Sequence, residues 1–593
     1  MLSLTSAGRP IRLSPAASLQ LEYNSPLFDE ETILGIFSYS LPVPAPPNGP
    51  VYGFPERPDA DAAPGALLPA ELSLDGLPLL TGSQRVRSAT AAAYSVSLAG
   101  GLSGAGLSER PLASFAYGGL RAVPRWVLVS PGSPGVPAVQ APGLTLHANA
   151  VVAQPDAYPY VFAPLRNEFA AADEVAPAPT AYPRRAVNRW LVYPTGGTFA
   201  YNSGAVLVPG NTLPDDFNAL PAMCPFPRLR YVLQCLCEES GLPVDVAQLL
   251  PGELGELVLA GNALLVDRGD ADVLRFSLAD VVPALTVAEL LAALRQDWGI
   301  VLYQDPATGL MRTGYLRDQV AAAPLDYTDR LAGGLEVTVD EAQGLSLTDG
   351  VDGDDALTAG ALDQPAASRL LAPVATAADL PATADFFTDN PQNGQVRLVQ
   401  DEDTYYRCAL SYLDAVSVTL TWQRLAVRLP AVDLNGGGEA QAQRQCYTVE
   451  RPTAYTGNPL TTVELPAIAQ APYRADQTTV PRSSALRLFF YRGLQPGSDG
   501  ASPCPQLGHR SPSGTYSTRL NGEAGTYAQW LRAWLPVKLA GTSYKQPLRL
   551  SALDLARLDL TRKLYLDGVE YLVRKLSVTV PLRKPATAEL VRV

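Results

Sequence analysis

Residues 286–314 read TVAELLAALRQDWGIVLYQDPATGLMRTG, and this stretch decides the fold because every local signal in it agrees. Thr286 and Glu289 stand three apart at the head of an apolar run, the spacing of a capping box. Leu290, Leu291, Leu294 and Trp298 fall on one face of the helix that follows, and Gly299 is its left-handed stop. Ile300-Val301-Leu302-Tyr303 then reads as a buried strand and Asp305-Pro306-Ala307-Thr308-Gly309 as a turn. Leu310-Met311-Arg312-Thr313 is the strand that pairs back. A capped helix packed on a hairpin is a nucleus of fold and carries no chemistry of its own.

Around this unit lie 593 residues, too many for one core, and ordinary domain sizes give three or four domains. Hydrophobic residues at 47% and charged residues at 17% describe a folded chain, so the 54 prolines and 48 glycines punctuate many short elements rather than spell disorder. With 26 tyrosines and many Val, Leu and Thr runs, the composition points to a mainly β protein with long ordered loops. The formal charge of −13 argues against a surface that grips nucleic acid by its phosphates, though not against DNA that merely passes by. Met1-Leu2-Ser3-Leu4-Thr5 lacks the basic-then-apolar pattern of a secretion signal, and no apolar window of about 18 residues predicts a membrane span. Six cysteines in so long a chain do not make a disulfide scaffold. Cys224, Cys408, Cys446 and Cys504 lack the paired spacing of a zinc site, and Cys235 and Cys237 sit two apart on a predicted helix, facing different ways. Buried free thiols are the expectation.

Four units follow: a mainly β domain with an extended proline-rich arm over 1–215, an α+β domain over 216–330, an acidic inserted β domain over 331–480 and a C-terminal β domain over 481–593. In the first, Ile36-Phe37-Ser38-Tyr39-Ser40-Leu41-Pro42 reads as a strand ending near Pro42. The proline- and glycine-rich stretch from Val43 to Gly53 reads as an arm, either a linker or a rigid segment lying along a neighbour. The glycine-rich run Gly101 to Gly106 is taken as a hairpin tip, since no Lys-Ser or Lys-Thr follows to make it a phosphate loop. Trp126-Val127-Leu128-Val129, Leu144-Thr145-Leu146-His147 and Tyr160-Val161-Phe162 continue the β pattern. In the second unit Pro227 suits a first helical position, Leu229, Val232, Leu233 and Leu236 make a stripe, and Gly241 with Pro243 ends it. The third holds Asp349, Asp352, Asp354 and Asp355 around Gly350 and Gly353, a cluster that invites calcium but lacks the EF-hand spacing, so a solvated acidic loop is the plainer reading. Strands then return at Val396-Arg397-Leu398-Val399, Tyr405 to Leu410 and Val416 to Trp422. In the last unit, Tyr527, Trp530 and Trp534 form an aromatic stripe read as core, and Leu564 to Leu572 is the clearest hairpin, with Asp567-Gly568 supplying a type I′ turn.

Chemistry is sparse. His147 and His509 are the only histidines, few for an enzyme that needs a general base near neutral pH. His147 reads as a structural residue of a strand, and His509 lies in a Gly/Pro/Ser loop. No G-x-S-x-G, H-E-x-x-H or Walker sequence occurs, so no catalytic, cofactor-binding or metal-binding residue is assigned, and the chain reads as a non-enzyme.

Asn24-Ser25-Pro26-Leu27-Phe28, the strand Phe37-Ser38-Tyr39 with its proline arm, Pro225-Phe226-Pro227, the Thr286 helix with Trp298-Gly299-Ile300, and Tyr565-Leu566-Asp567-Gly568-Val569-Glu570-Tyr571-Leu572 together resemble tail proteins of Bacteroidetes phages and prophages. The helix-then-hairpin unit also resembles the baseplate hub proteins of tailed phages and contractile injection systems. The resemblance implies β-barrel-like or sandwich domains and a homotrimer forming a tail-tip ring. The ring would join the tail tube and distal tail proteins to spike or fibre proteins, with DNA passing transiently through the channel. It implies a virion component made in the host cytoplasm, with no stable membrane insertion and no cofactor. Two further readings stand beside it: a receptor-binding or fibre-attachment protein if the 331–480 insert is a sandwich with exposed aromatics, and a tail-associated cell-wall or polysaccharide hydrolase if two carboxylates converge in a cleft.

Overall fold

A computed structural model describes residues 1–28, 35–57, 59, 65–129, 139–163, 188, 223–260, 265, 267–339, 486–496, 503–508, 510–518 and 523–593, together with isolated strands between 165 and 468. Its central unit forms as its residues dictate. The Thr286 hydroxyl accepts the Glu289 amide at 3.2 Å and the Glu289 carboxylate accepts the Thr286 amide at 2.7 Å, so two amides that the helix itself leaves unpaired are satisfied reciprocally. The helix runs Val287–Trp298, buries Leu290, Leu294 and Trp298, and ends at Gly299 with φ 60°. Strands Ile300–Gln304 and Met311–Tyr315 then pair antiparallel, Ile300 opposite Tyr315 and Gln304 opposite Met311. The Asp305 side chain accepts the Ala307 amide at 2.9 Å and tightens the turn.

Fourteen strands make one large sheet. Its main path runs Arg9–Ile11, Leu2–Ser6, Leu67–Leu74, Leu77–Ala89, Ala93–Gly100, Ile36–Ser38, Leu19–Asn24, Val569–Val580, Ala586–Arg592, Thr542–Leu548 and Glu336–Val339. Alternation in Ala93–Gly100 puts Tyr94, Val96 and Leu98 inside and their neighbours outward, the signature of a sheet with one buried face. The seam is Leu19–Asn24 against Val569–Val580, with Leu19 opposite Val580 and Asn24 opposite Lys575. Residues 1–100 and 542–592 therefore share one sheet and one core, around Leu21, Val96, Val578 and Leu590, where the sequence suggested two separate β units. The sheet runs from one free edge to another, so no closed barrel forms among the described residues. The expected 564–572 hairpin is present, with Asp567 at φ 44° and Gly568 at φ 92°.

A second core gathers the helices Gly143–Ala153, Leu229–Glu238 and Val287–Trp298 with the strands Leu257–Leu259, Leu488–Pro496 and Pro503–Gly508. Trp530 is buried in it and Trp534 is buried in the contact between the cores, as the aromatic stripe suggested. Five local expectations give way. Leu144 to His147 is helix, not strand: the four-residue alternation is outweighed by Leu144, Ala148, Val151 and Val152, which recur at helical spacing and are buried. The Val43 to Gly53 arm contains a helix, Ala45–Tyr52; Pro46 and Pro47 fall in its first turn, where no amide is needed, and Asn48 ties it to the Arg12 backbone at 2.8 and 2.9 Å. Gly101–Gly104 is a short helical turn rather than a hairpin tip. Pro227 belongs to the strand Phe226–Pro227, paired with Tyr160–Val161, and the helix starts at Leu229. The 36–42 strand divides into Ile36–Ser38 and Leu41–Pro44.

A third cluster, with Leu27, Val301, Tyr303, Leu316, Trp534 and Leu572, packs between the two cores. The strand Ile300–Gln304 contributes Ile300 and Leu302 to the helical core and Val301 and Tyr303 to this contact, so it is apolar on both faces for a structural reason. In the insert, Arg397–Asp401, Thr404–Leu413 and Ser417–Val427 form a three-stranded antiparallel meander where strands were expected. The 349–355 acidic cluster and His509 lie outside the described residues.

Candidate functional site

Where the large sheet meets the capped helix and hairpin, a cleft of ≈ 330 Å³ opens. One wall is the whole strand Ile300–Gln304, with Leu291 and Arg295 of the helix above it. The other is built from Tyr23, Ile36, Leu79 and Leu80 of the sheet and from Leu558 to Thr561. The volume lies at the small end of the roughly 300–1,000 Å³ typical of ligand pockets.

The polar groups of the cleft cluster at its hairpin end. Arg312 pairs with Asp305 at 2.9 Å and donates through Nε to the Tyr303 hydroxyl at 2.8 Å. Burial raises the Tyr303 phenol above its ordinary value, while Arg312 pulls it back. Asp559 accepts the amide and hydroxyl of Thr561 at 2.9 and 2.6 Å and has no cation beside it among the described residues. Tyr23 is 3% exposed and its hydroxyl has no hydrogen-bond partner among the described residues; burial pushes its phenol well up. Asp305 and Asp559 thus line one cleft, but Asp305 is engaged in holding its own turn. None of these residues carries a motif. Asp305 was legible only as a turn former, and Asp559 gave no signal, because the cleft is made by segments more than 500 residues apart, from Tyr23 to Asp559.

The residues singled out in the sequence lie elsewhere. His147 sits on the helix Gly143–Ala153 within an aromatic nest of Tyr158, Tyr160, Phe162 and Phe276, and its Nε2 is 2.7 Å from the Tyr160 hydroxyl. Burial, aided by the Arg121 charge, lowers its pKa below the ordinary value. Cys224, Cys235 and Cys237 are buried and form no disulfide among the described residues, and burial pushes the last two thiols up to about 11 and about 12. No group of three or more His, Cys, Asp or Glu side chains suited to a metal occurs among the described residues. No described helix is long and apolar enough to cross a membrane.

By class, this is a mainly β multidomain chain with a helical second core. No family model matches it, and no curated protein does. Among solved structures it is similar to the 43 kDa tail protein of prophage MuSo2 from Shewanella oneidensis, at 8% identity over 100% of this chain and 95% of that one, with a TM-score of 0.29. At that score a shared fold is not shown.

Proposed function

We propose that this chain is a structural component of a phage tail, a tail-tip or baseplate hub subunit that works only inside a larger assembly. The observation that carries the assembly role is the far edge of the large sheet. Glu336–Val339 pairs with Thr542–Leu548 alone among the described residues, and all four of its residues are exposed, with Val337 at 51% and Val339 at 77%. The opposite edge is guarded: Arg9–Ile11 is three residues long and carries an exposed arginine and proline. An edge strand that leaves Val337 and Val339 exposed and one row of backbone groups without a strand beside it offers a surface that a neighbour can cover. The tail assignment itself rests on the sequence motifs set out above. In this reading three copies form a ring around the channel, meeting tail tube and distal tail proteins on one side and spike or fibre proteins on the other, and the negative charge keeps passing DNA from sticking.

Mass measurement of the purified protein, with negative-stain images of the same peak, tests this. Three chain masses and a ring with a central hole are expected. A single-chain mass with no ring, both alone and mixed with tail tubes, would overturn the hub. The reading is also non-enzymatic: the intact protein should leave cell walls and polysaccharides uncleaved. Cleavage that disappears in both Asp305→Asn and Asp559→Asn would replace it with the hydrolase reading.

A further inference from the structure

Antiparallel pairing turns alternate residues of a strand toward and away from its partner. In the hairpin the Asp305 amide donates to the Leu310 carbonyl at 2.9 Å and the Leu316 amide to the Gly299 carbonyl at 2.9 Å. Val301 and Tyr303 therefore face Met311–Tyr315, and Leu302 and Gln304 direct their N–H and C=O the other way. That side is the cleft, since every residue of Ile300–Gln304 lines it. Neither backbone has a hydrogen-bond partner on that side among the described residues, although Leu302 is only 6% exposed. The Leu302 peptide is thus withdrawn from water without a partner, which is costly and rare, while Gln304 at the strand end is exposed. We propose that an extended peptide strand of a partner protein, apolar and carrying a lysine or arginine at one end, adds to this free edge inside the cleft.

The chemistry of the walls selects that occupant. Five strand residues offer an edge of about 16 Å, a length that suits an extended peptide better than a compact small molecule. Ile36, Leu79, Leu80 and Leu558 across the cleft are aliphatic and would seat the side chains that alternate toward them. Near Tyr303, the Asp559 carboxylate contributes negative charge and forms no ion pair among the described residues, whereas Asp305 already has Arg312. A basic residue on the peptide completes that end by charge complementarity. The proposal concerns the cleft alone: ring formation tests the hub and peptide binding tests this, so either can fail without the other.

Heptapeptides displayed on phage and selected on the immobilised full-length chain supply the probe. Enriched sequences should alternate apolar residues and end in Lys or Arg. As a synthetic peptide, the enriched sequence should slow hydrogen exchange at the Leu302 and Gln304 amides. Gln304→Pro removes an outward amide that the hairpin does not use and should weaken binding at least tenfold. Thr81→Arg, at an exposed position on the cleft rim, should do the same without touching either core. Asp559→Asn should erase the preference for the basic end. No enriched peptide, or peptides that ignore Thr81→Arg and leave the two amides unprotected, would overturn the proposal, as would capture of a second copy of the chain in place of the peptide.

Discussion

His147 shows what burial does to one titratable group. Its folded pKa lies below the ordinary 6.5, so the folded state holds it neutral while the unfolded chain takes up a proton first. The sign follows directly: above pH 6.5 both states are neutral and nothing is lost, and as pH falls below 6.5 the unfolded state binds more protons and stability drops. Chemical denaturation of wild type and His147→Gln between pH 8 and 5 should show a steeper loss in the wild type. Parallel profiles would remove His147 as the cause. The thiols make a second residue-scale case. With Cys235 near 11 and Cys237 near 12, almost no thiolate exists at pH 8, so alkylation mapped by peptide mass should leave both unmodified until denaturant is added. The sequence anticipated buried thiols, but placed His147 on a strand, because four residues of alternation look alike whether or not a helix runs through them.

Among elements, the capped helix tests how far local chemistry sets structure. Thr286→Ala removes the acceptor for the Glu289 amide and should cost about 1 kcal/mol in urea unfolding, with Thr286→Ser close to wild type. Equal stability for all three would mean that tertiary packing, not the cap, holds the helix start. Gly299 is constrained twice, by φ 60° and by the Trp530 side chain 3.2 Å from where a Cβ would sit. Gly299→Ala should therefore cost about 1–2 kcal/mol, more than a glycine-to-alanine change in open space. These features were readable because cap, stripe and stop lie within fourteen consecutive residues, Thr286 to Gly299. The 43–53 segment was not readable in the same way: its helix depends on Asn48 bridging to Arg12, a contact 36 residues distant.

At the level of the molecule, the two chain ends fold as one. Leu21 is fully buried on the seam strand, and Leu21→Ala should cost about 2–5 kcal/mol. Hydrogen exchange should then quicken together in Ala93–Gly100 and Ala586–Arg592, although they lie nearly 500 residues apart in sequence. Loosening confined to the N-terminal strands would show that the shared sheet is not a cooperative unit. The same long-range closure brings Tyr23 and Asp559 to one cleft and leaves Glu336–Val339 as an open edge.

The sequence by itself determined the mainly β class, the Thr286 cap and its helix, both hairpins and the burial of Cys224, Cys235 and Cys237. Each rests on residues within about one turn or one hairpin of one another, where backbone geometry and capping chemistry act directly. Only the tertiary structure decided that residues 1–100 and 542–592 share a sheet, and that among the described residues the sheet stays open and a cleft with an unpaired strand edge lies beside the hairpin. Those outcomes depend on which distant strand satisfies which backbone group, and alternation within a strand marks the buried face but not the partner across the ladder.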